Sequence, residues 1–370
     1  MVTQLTEISP ASWEHPADRA ALASLGKIPG LDSVLRKIIG IFGESNIRMM
    51  YQANSIRVSP TQYTDIHDSL VRVCSTLDTN VPPLFITQSP MVNAGAVGVD
   101  EPVIVLQSSL IEVLTPAGVE AVLGHEVGHI MSDHALYRTM LNLLLSLSAA
   151  RSPLIGAAGI PIVLALREWN RKAELSCDRA GLLAVQDFDI SIGALAAMAG
   201  GIRGRNGEID TDAFIEQSEE YLEAEGLSQF YKMTAMLGRT HPYVLARVAE
   251  LRKWVGSGDY HAIIGGDYIR RGDEADTLDD VGRAGKYYTE SATDVFENVE
   301  GYISRTLSGI ADRLDQAYNA GFSGYQPAAD DADTDDSPDS DASGGSSTKD
   351  GQGVDGDPDI DWGDWPEPLI

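Results

Sequence analysis

Cysteine is almost missing from this 370-residue chain: Cys74 and Cys177 are the only two. Two thiols cannot staple a chain of this size, so a disulfide framework is excluded and a reducing compartment is expected. Basic residues are scarce as well, 27 Lys and Arg against 55 Asp and Glu, for a net charge of −28. A surface of that sign repels phosphate backbones and no basic stripe offsets it, which argues against nucleic acid as a partner. The amino terminus, MVTQLTEISPASWEHPADRA, has no basic segment leading into an apolar stretch. It does not read as a secretory signal, and a cytoplasmic location is expected.

Long apolar runs are lacking too. From Thr139 to Leu166 the chain is nearly free of charge, but Arg151 interrupts it, leaving twelve residues back to Arg138 and fifteen on to Arg167. A helical span needs about twenty. The expectation is an apolar helical hairpin over 139–166, either packed within the protein or making peripheral contact with the inner face of a membrane.

What is present points to a folded protein. Hydrophobic content of 43% and charged content of 22% are near globular averages. Much of the acidity is local: residues 326–370 hold thirteen Asp and one Glu against Lys349, a net −13. With its Ser, Gly and Pro this segment is expected to be a disordered acidic tail, in which Trp362 and Trp365 stand out.

Apolar spacing predicts one or two helices over 18–43, broken at Pro29-Gly30, and another from about Thr61 to Leu77. The period then changes. Leu84-Phe85-Ile86 and Val103-Ile104-Val105-Leu106, bounded by prolines, read as short buried strands, with 93–98 a further strand or edge. Thr115-Pro116 supplies a cap and first residue for a helix through about Asp133. Helical pattern resumes near Trp169 and continues with gaps to Trp254. An amphipathic segment at 292–317 is expected to dock on the body or pair with a second copy of the chain. The fold class is therefore α+β, mainly helical.

His125-Glu126-Val127-Gly128-His129 fits the H-E-x-x-H pattern inside that helix. Residues four apart lie on one helical face, so His125 and His129 can offer two imidazoles to one metal ion, with Glu126 beside the open coordination position as a proton acceptor. Two ordinary histidines on a helix face are the competing reading of the pattern alone. A catalytic zinc needs a third protein ligand. The metzincin spacing would place a His at 135 and a Gly at 132, where this chain has Ala135 and Ser132, so that class is excluded. His134, five residues past His129, is turned away from the seam and reads as a surface or outer-shell residue. Downstream, Glu174 and Asp178 lie four apart on a helix with apolar neighbours. Glu174 can ligate there, and Asp178 can reach the far nitrogen of a ligand His.

These residues resemble the Glu-zincin metalloproteases that include the HtpX heat-shock proteases and the type I CAAX prenyl endopeptidases. Lys172 to Ala180 looks like that family's Glu-x-x-x-Asp block. Pro83-Leu84-Phe85, Asn93-Ala94, Val119 to Gly124 and Thr240-His241-Pro242 with Arg247 extend the likeness over about 80–255. The resemblance implies a gluzincin-type core with a small sheet packed on the active-site helices. It implies one zinc held by His125, His129 and Glu174, Glu126 as general base, and His241 facing the developing oxyanion. Arg247 would pair with buried carboxylates such as Asp178. A polypeptide substrate would lie extended along an edge strand containing Asn93, Ala94, Gly95 and Ala96. Gly95 departs from the family, which usually has an aromatic there, and the long amino-terminal membrane spans of the integral-membrane relatives are absent. The expected organisation is a helical extension at 1–60, a zinc metalloprotease domain at 61–255, a linker and amphipathic helix at 256–325, and the tail at 326–370. The rival expectation is a zinc-bound, proteolytically silent scaffold or membrane-surface adaptor that recruits partners through its tail and C-terminal helix.

Overall fold

The protein is represented by a computed structural model, which describes residues 2–26, 44–98, 100–149, 160–202, 204–223 and 243–273. The helix expected after Pro29, His241, the tip of the apolar hairpin, the 292–317 segment and the acidic tail lie outside the described residues.

In chain order the helices are α1 (Pro16–Gly26), α2 (Glu44–Asn54), α3 (Thr64–Thr76), α4 (Ser108–Val113), α5 (Pro116–Met131) and α6 (Ala135–Ala149). They continue as α7 (Ile160–Val185), α8 (Phe188–Gly200), α9 (Thr211–Glu223), α10 (Val244–Ser257) and α11 (Asp259–Ile264). The strands are β1 (Ile56–Arg57), β2 (Leu84–Thr87), β3 (Ala94–Val97) and β4 (Val103–Gln107). They form one mixed sheet in the order β1-β2-β4-β3, with β2 and β4 parallel and the outer pairs antiparallel. Every residue of β2, β3 and β4 is buried, which explains why the sequence shows short apolar runs there rather than alternation. Successive side chains still divide between the faces. Leu84, Ile86, Ile104 and Leu106 join the main core with α3 and α5, while Phe85, Val103 and Val105 pack with Tyr51 of α2.

The start of α5 follows the sequence signal: Oγ1 of Thr115 accepts from the Gly118 amide at 3.0 Å, and Pro116 opens the helix. Its end does not continue smoothly. Asp133 adopts a left-handed φ of 54°, which breaks the helix and turns the chain back before α6. The described part of the apolar hairpin packs inward, with Met140, Leu141, Leu144 and Leu166 buried. No helix among the described residues is long and apolar enough to cross a membrane.

Residues 2–15 form a strap across the back of these helices. The Leu5 amide donates to the Thr76 carbonyl, the Ser9 amide to Ile269 and the Arg271 amide to Glu7, at 2.8, 2.9 and 2.7 Å. Leu5, Ile8 and Trp13 are fully buried in the main core. Each large apolar side chain so buried contributes about 1.5–3 kcal/mol, so the strap is part of the core rather than an appendage.

Candidate metal centre

Helices α5 and α7 approach until their backbones nearly touch, and three glycines permit it. A Cβ added at Gly124 would stand 2.5 Å from the Ala184 Cβ, one at Gly128 would stand 2.6 Å from the Ala180 Cβ, and one at Gly181 would stand 2.8 Å from the Ala121 carbonyl oxygen. At that separation the face of α5 carrying His125 and His129 meets the face of α7 carrying Glu174. The two Nε2 atoms are 3.2 Å apart, with Glu174 oxygens 3.5 Å from His125 Nε2 and 3.4 Å from His129 Nε2. A tetrahedral zinc with bonds of about 2.0–2.2 Å separates its donors by roughly 3.3 Å. Two imidazoles and a carboxylate at these spacings fit such an ion, and all three residues are buried. A second grouping, His129 with His134 and Cys177, shares His129. Burial pushes the Cys177 thiol well above the ordinary range, so a metal ion held there would have to displace a firmly bound proton.

The side chains behind these candidate donors form two layers. Nδ1 of His125 is 3.1 Å from Oδ1 of Asp178, and Arg247 of α10 grips that carboxylate twice, Nε to Oδ2 at 2.8 Å and Nη2 to Oδ1 at 2.5 Å. Nη1 of Arg247 also lies 3.5 Å from Glu174. Burial alone would raise the Asp178 carboxyl, but the Arg247 guanidinium outweighs it and holds the group below its usual value. Burial likewise opposes charge on His125, yet Asp178 and Glu174 outweigh it and raise the imidazole to about 9. His129 goes the other way: burial and the Arg138 charge push it well below its ordinary value.

Glu126 is 3% exposed. Its carboxylate accepts from Nη1 of Arg138, on α6, at 3.3 Å. A cavity lined by His125, Glu126, Glu174 and Arg247 also touches Asn93 and Ala94. A larger one, about 450 Å³, runs along Gly95, Ala96 and Val97 and is closed by Arg138, Leu141 and Leu145. β3 ends the sheet among the described residues, so Asn93 to Ala96 lie between the metal centre and this groove.

The structure thus brings together His125, His129, Glu174, Asp178, Arg247 and Glu126, with Asn93 to Ala96 alongside. The surface alternative for His134 is corrected. This residue is fully buried, with Nδ1 3.1 Å from Nδ1 of His129, because the break at Asp133 invalidates any extrapolation of helical rotation past His129. Sequence reading missed Arg138, whose isolated charge at the edge of an apolar helix was the available signal.

Comparison with known proteins agrees with this geometry. The sequence profile of Peptidase family M48 matches residues 60–255. The plastoglobule-localized metallopeptidase 48 of Arabidopsis thaliana is 34% identical over 260 residues, covering 68% of this chain and 74% of that protein. Protease HtpX homolog 2 of Methanosarcina acetivorans is 24% identical over 229 residues, covering 53% of this chain and 74% of the relative. Protease HtpX homolog of Moorella thermoacetica is 24% identical over 244 residues, covering 56% and 78%. No solved structure matches. Profile and relatives together establish that this chain belongs to peptidase family M48 and is a metalloprotease.

Proposed function

We propose that the protein is a zinc-dependent endopeptidase of the gluzincin type, with His125, His129 and Glu174 as metal ligands and Glu126 as general base. The observation that carries this reading is the convergence of three buried side chains from two helices, the two Nε2 atoms 3.2 Å apart and each 3.4–3.5 Å from one of the two Glu174 oxygens, with Glu126 adjacent. A zinc ion there would polarise the scissile carbonyl and acidify a water molecule. Glu126 accepts the proton from that water and returns it to the leaving amine. Arg138 holds the Glu126 carboxylate in place through its hydrogen bond. Asp178 accepts from the far nitrogen of His125 and keeps the near one available as a donor, and Arg247 fixes Asp178 in turn. His241, carried over from the family resemblance, is assigned to the oxyanion. The substrate is an extended polypeptide lying along β3 in the groove walled by α6, bound through main-chain hydrogen bonds.

The deciding experiment substitutes Glu126→Gln and measures zinc content together with turnover of an unfolded protein such as casein. Zinc should be retained while turnover falls roughly 10²–10⁴-fold. Unchanged turnover would show that Glu126 is not the base.

A further inference from the structure

The two ligand imidazoles are supported differently on their far sides. His125 meets a carboxylate directly, whereas His129 meets another ring. Nδ1 of His129 is 3.1 Å from Nδ1 of His134. Nε2 of His134 is 3.1 Å from Oδ2 of Asp18, a close polar contact without the alignment of a hydrogen bond. The Ser176 hydroxyl donates to the same Asp18 oxygen at 2.5 Å, and Ser176 in turn accepts from the His15 amide at 2.9 Å. His129, His134 and Ser176 are fully buried and Asp18 is 1% exposed. The ring of Trp169, 5.4 Å away edge-on, and the Cys177 sulfur at 3.6 Å enclose His134. Asp18 belongs to α1, outside the 60–255 segment that the family profile matches; the strap delivers it.

Proton counting sets the direction of this chain. A hydrogen bond between two Nδ1 atoms needs one donor and one acceptor, and an ionised carboxylate can only accept. With one proton on the His134 ring, the Asp18 carboxylate 3.1 Å from Nε2 draws it there, which leaves Nδ1 of His134 as an acceptor. His129 must then carry its own proton on Nδ1, so its Nε2 lone pair faces Glu174 and His125. The reverse order would place a hydrogen on Nε2 of His129 and close it as a ligand.

We propose that Asp18 and His134 form a positioning relay that sets the tautomer of His129 and so holds its Nε2 lone pair toward the metal. The relay rests on the reading of His129 as a ligand. Neither residue touches reacting atoms; both act through His129, and partners behind a ligand His typically change metal affinity about 10–100-fold.

The test uses the full chain. Zinc affinity, measured by competition with a chromophoric chelator, should fall about 10–100-fold in His134→Phe, which keeps the ring and removes the acceptor. His134→Asn, whose amide oxygen stands near the Nδ1 position, should recover most of that loss, and Asp18→Ala should resemble the Phe variant. No loss in His134→Phe, or equal losses in the Phe and Asn variants, would overturn the relay. A readout independent of variant folding is long-range ¹H–¹⁵N correlation on the zinc-loaded, ¹⁵N-histidine-labelled unsubstituted chain. It should show His129 protonated at Nδ1 and His134 at Nε2; a proton on Nδ1 of His134 sinks the proposal. Should the unsubstituted chain bind no zinc, the metal-centre reading itself fails. Should it bind zinc and lose turnover in Glu126→Gln while His134→Phe binds as tightly, only the relay fails.

Discussion

Where α5 crosses α7, backbone lies against backbone, glycines leave no slack, and Glu126 and Asp178 are each held by an arginine. Along β3 and α6, a few ångströms away, the protein instead leaves a cavity of about 450 Å³ with apolar side chains projecting into it. The contrast separates two tasks. Donors for a metal ion tolerate errors of a few tenths of an ångström and need a rigid support. A groove that accepts many peptide sequences needs room and main-chain hydrogen bonds, and gains nothing from tight complementarity to one side chain.

The helix crossing is the more fragile of the two. Gly128→Ala would put a methyl 2.6 Å from the Ala180 Cβ, which the helices can relieve only by moving apart. The expected cost is about 1–3 kcal/mol, or roughly 2–4 °C in the melting temperature for each kcal/mol at this domain size, together with weaker zinc binding. Calorimetry of the metal-free protein and chelator competition read the two effects. A Gly128→Ala protein as stable and as tight for zinc as its parent would show that close backbone approach does not position the ligands.

The two imidazoles differ within the same crossing, and pH sharpens that difference. His125 is raised to about 9 in the metal-free protein, so at neutral pH a zinc ion bound as proposed would have to displace its proton, whereas His129 is pushed the other way. Zinc affinity should therefore rise about tenfold per pH unit up to 9 and level off above it. Titration calorimetry in buffers of different ionisation enthalpy should find about one proton released per zinc near pH 7. The sign for stability is opposite. Because the folded-state value lies above the ordinary imidazole value of about 6.5, protonated His125 stabilises the metal-free fold fully below that pH. The contribution is lost as pH rises through 9. Release of no proton would mean that the Asp178 and Glu174 carboxylates do not hold His125 charged.

Changes in the groove should act on substrate alone. Leu145→Trp fills part of the cavity along Gly95 to Val97 without contacting the ligands. A rise in KM of several-fold, on the scale of about 1 kcal/mol in a hydrophobic subsite, is expected for peptide substrates, with zinc content and melting temperature unchanged. A loss of zinc in this variant would show that wall and crossing are one mechanical unit.

Much of the helix pair was legible beforehand because its signals are local. The spacing of His125 and His129 needs only a helical repeat, and Thr115-Pro116 announces where that helix starts. The strands β2 and β4 were visible as apolar runs between prolines. β1 was not, since two residues paired to β2 leave no periodic trace. For His134 the outer-shell alternative agrees with its contact to His129, and the surface alternative fails because one left-handed residue, Asp133, ends the period on which it relied. Arg138 and Asp18 were missed for a different reason: each meets its partner across a turn or a long loop that no repeat in the chain encodes.

By itself, the order of residues determined which donors exist, which pair shares a helical face, and that a carboxylate about forty-five positions later sits on another helix. Only the tertiary structure decided that these groups converge to 3.2–3.5 Å and that Asp18 of α1, from the amino terminus, stands behind His134. The physical reason is range. Helical periodicity carries information over a few turns, whereas the approach of α5 to α7 and the path of the strap are settled by the packing of a core to which distant segments contribute together.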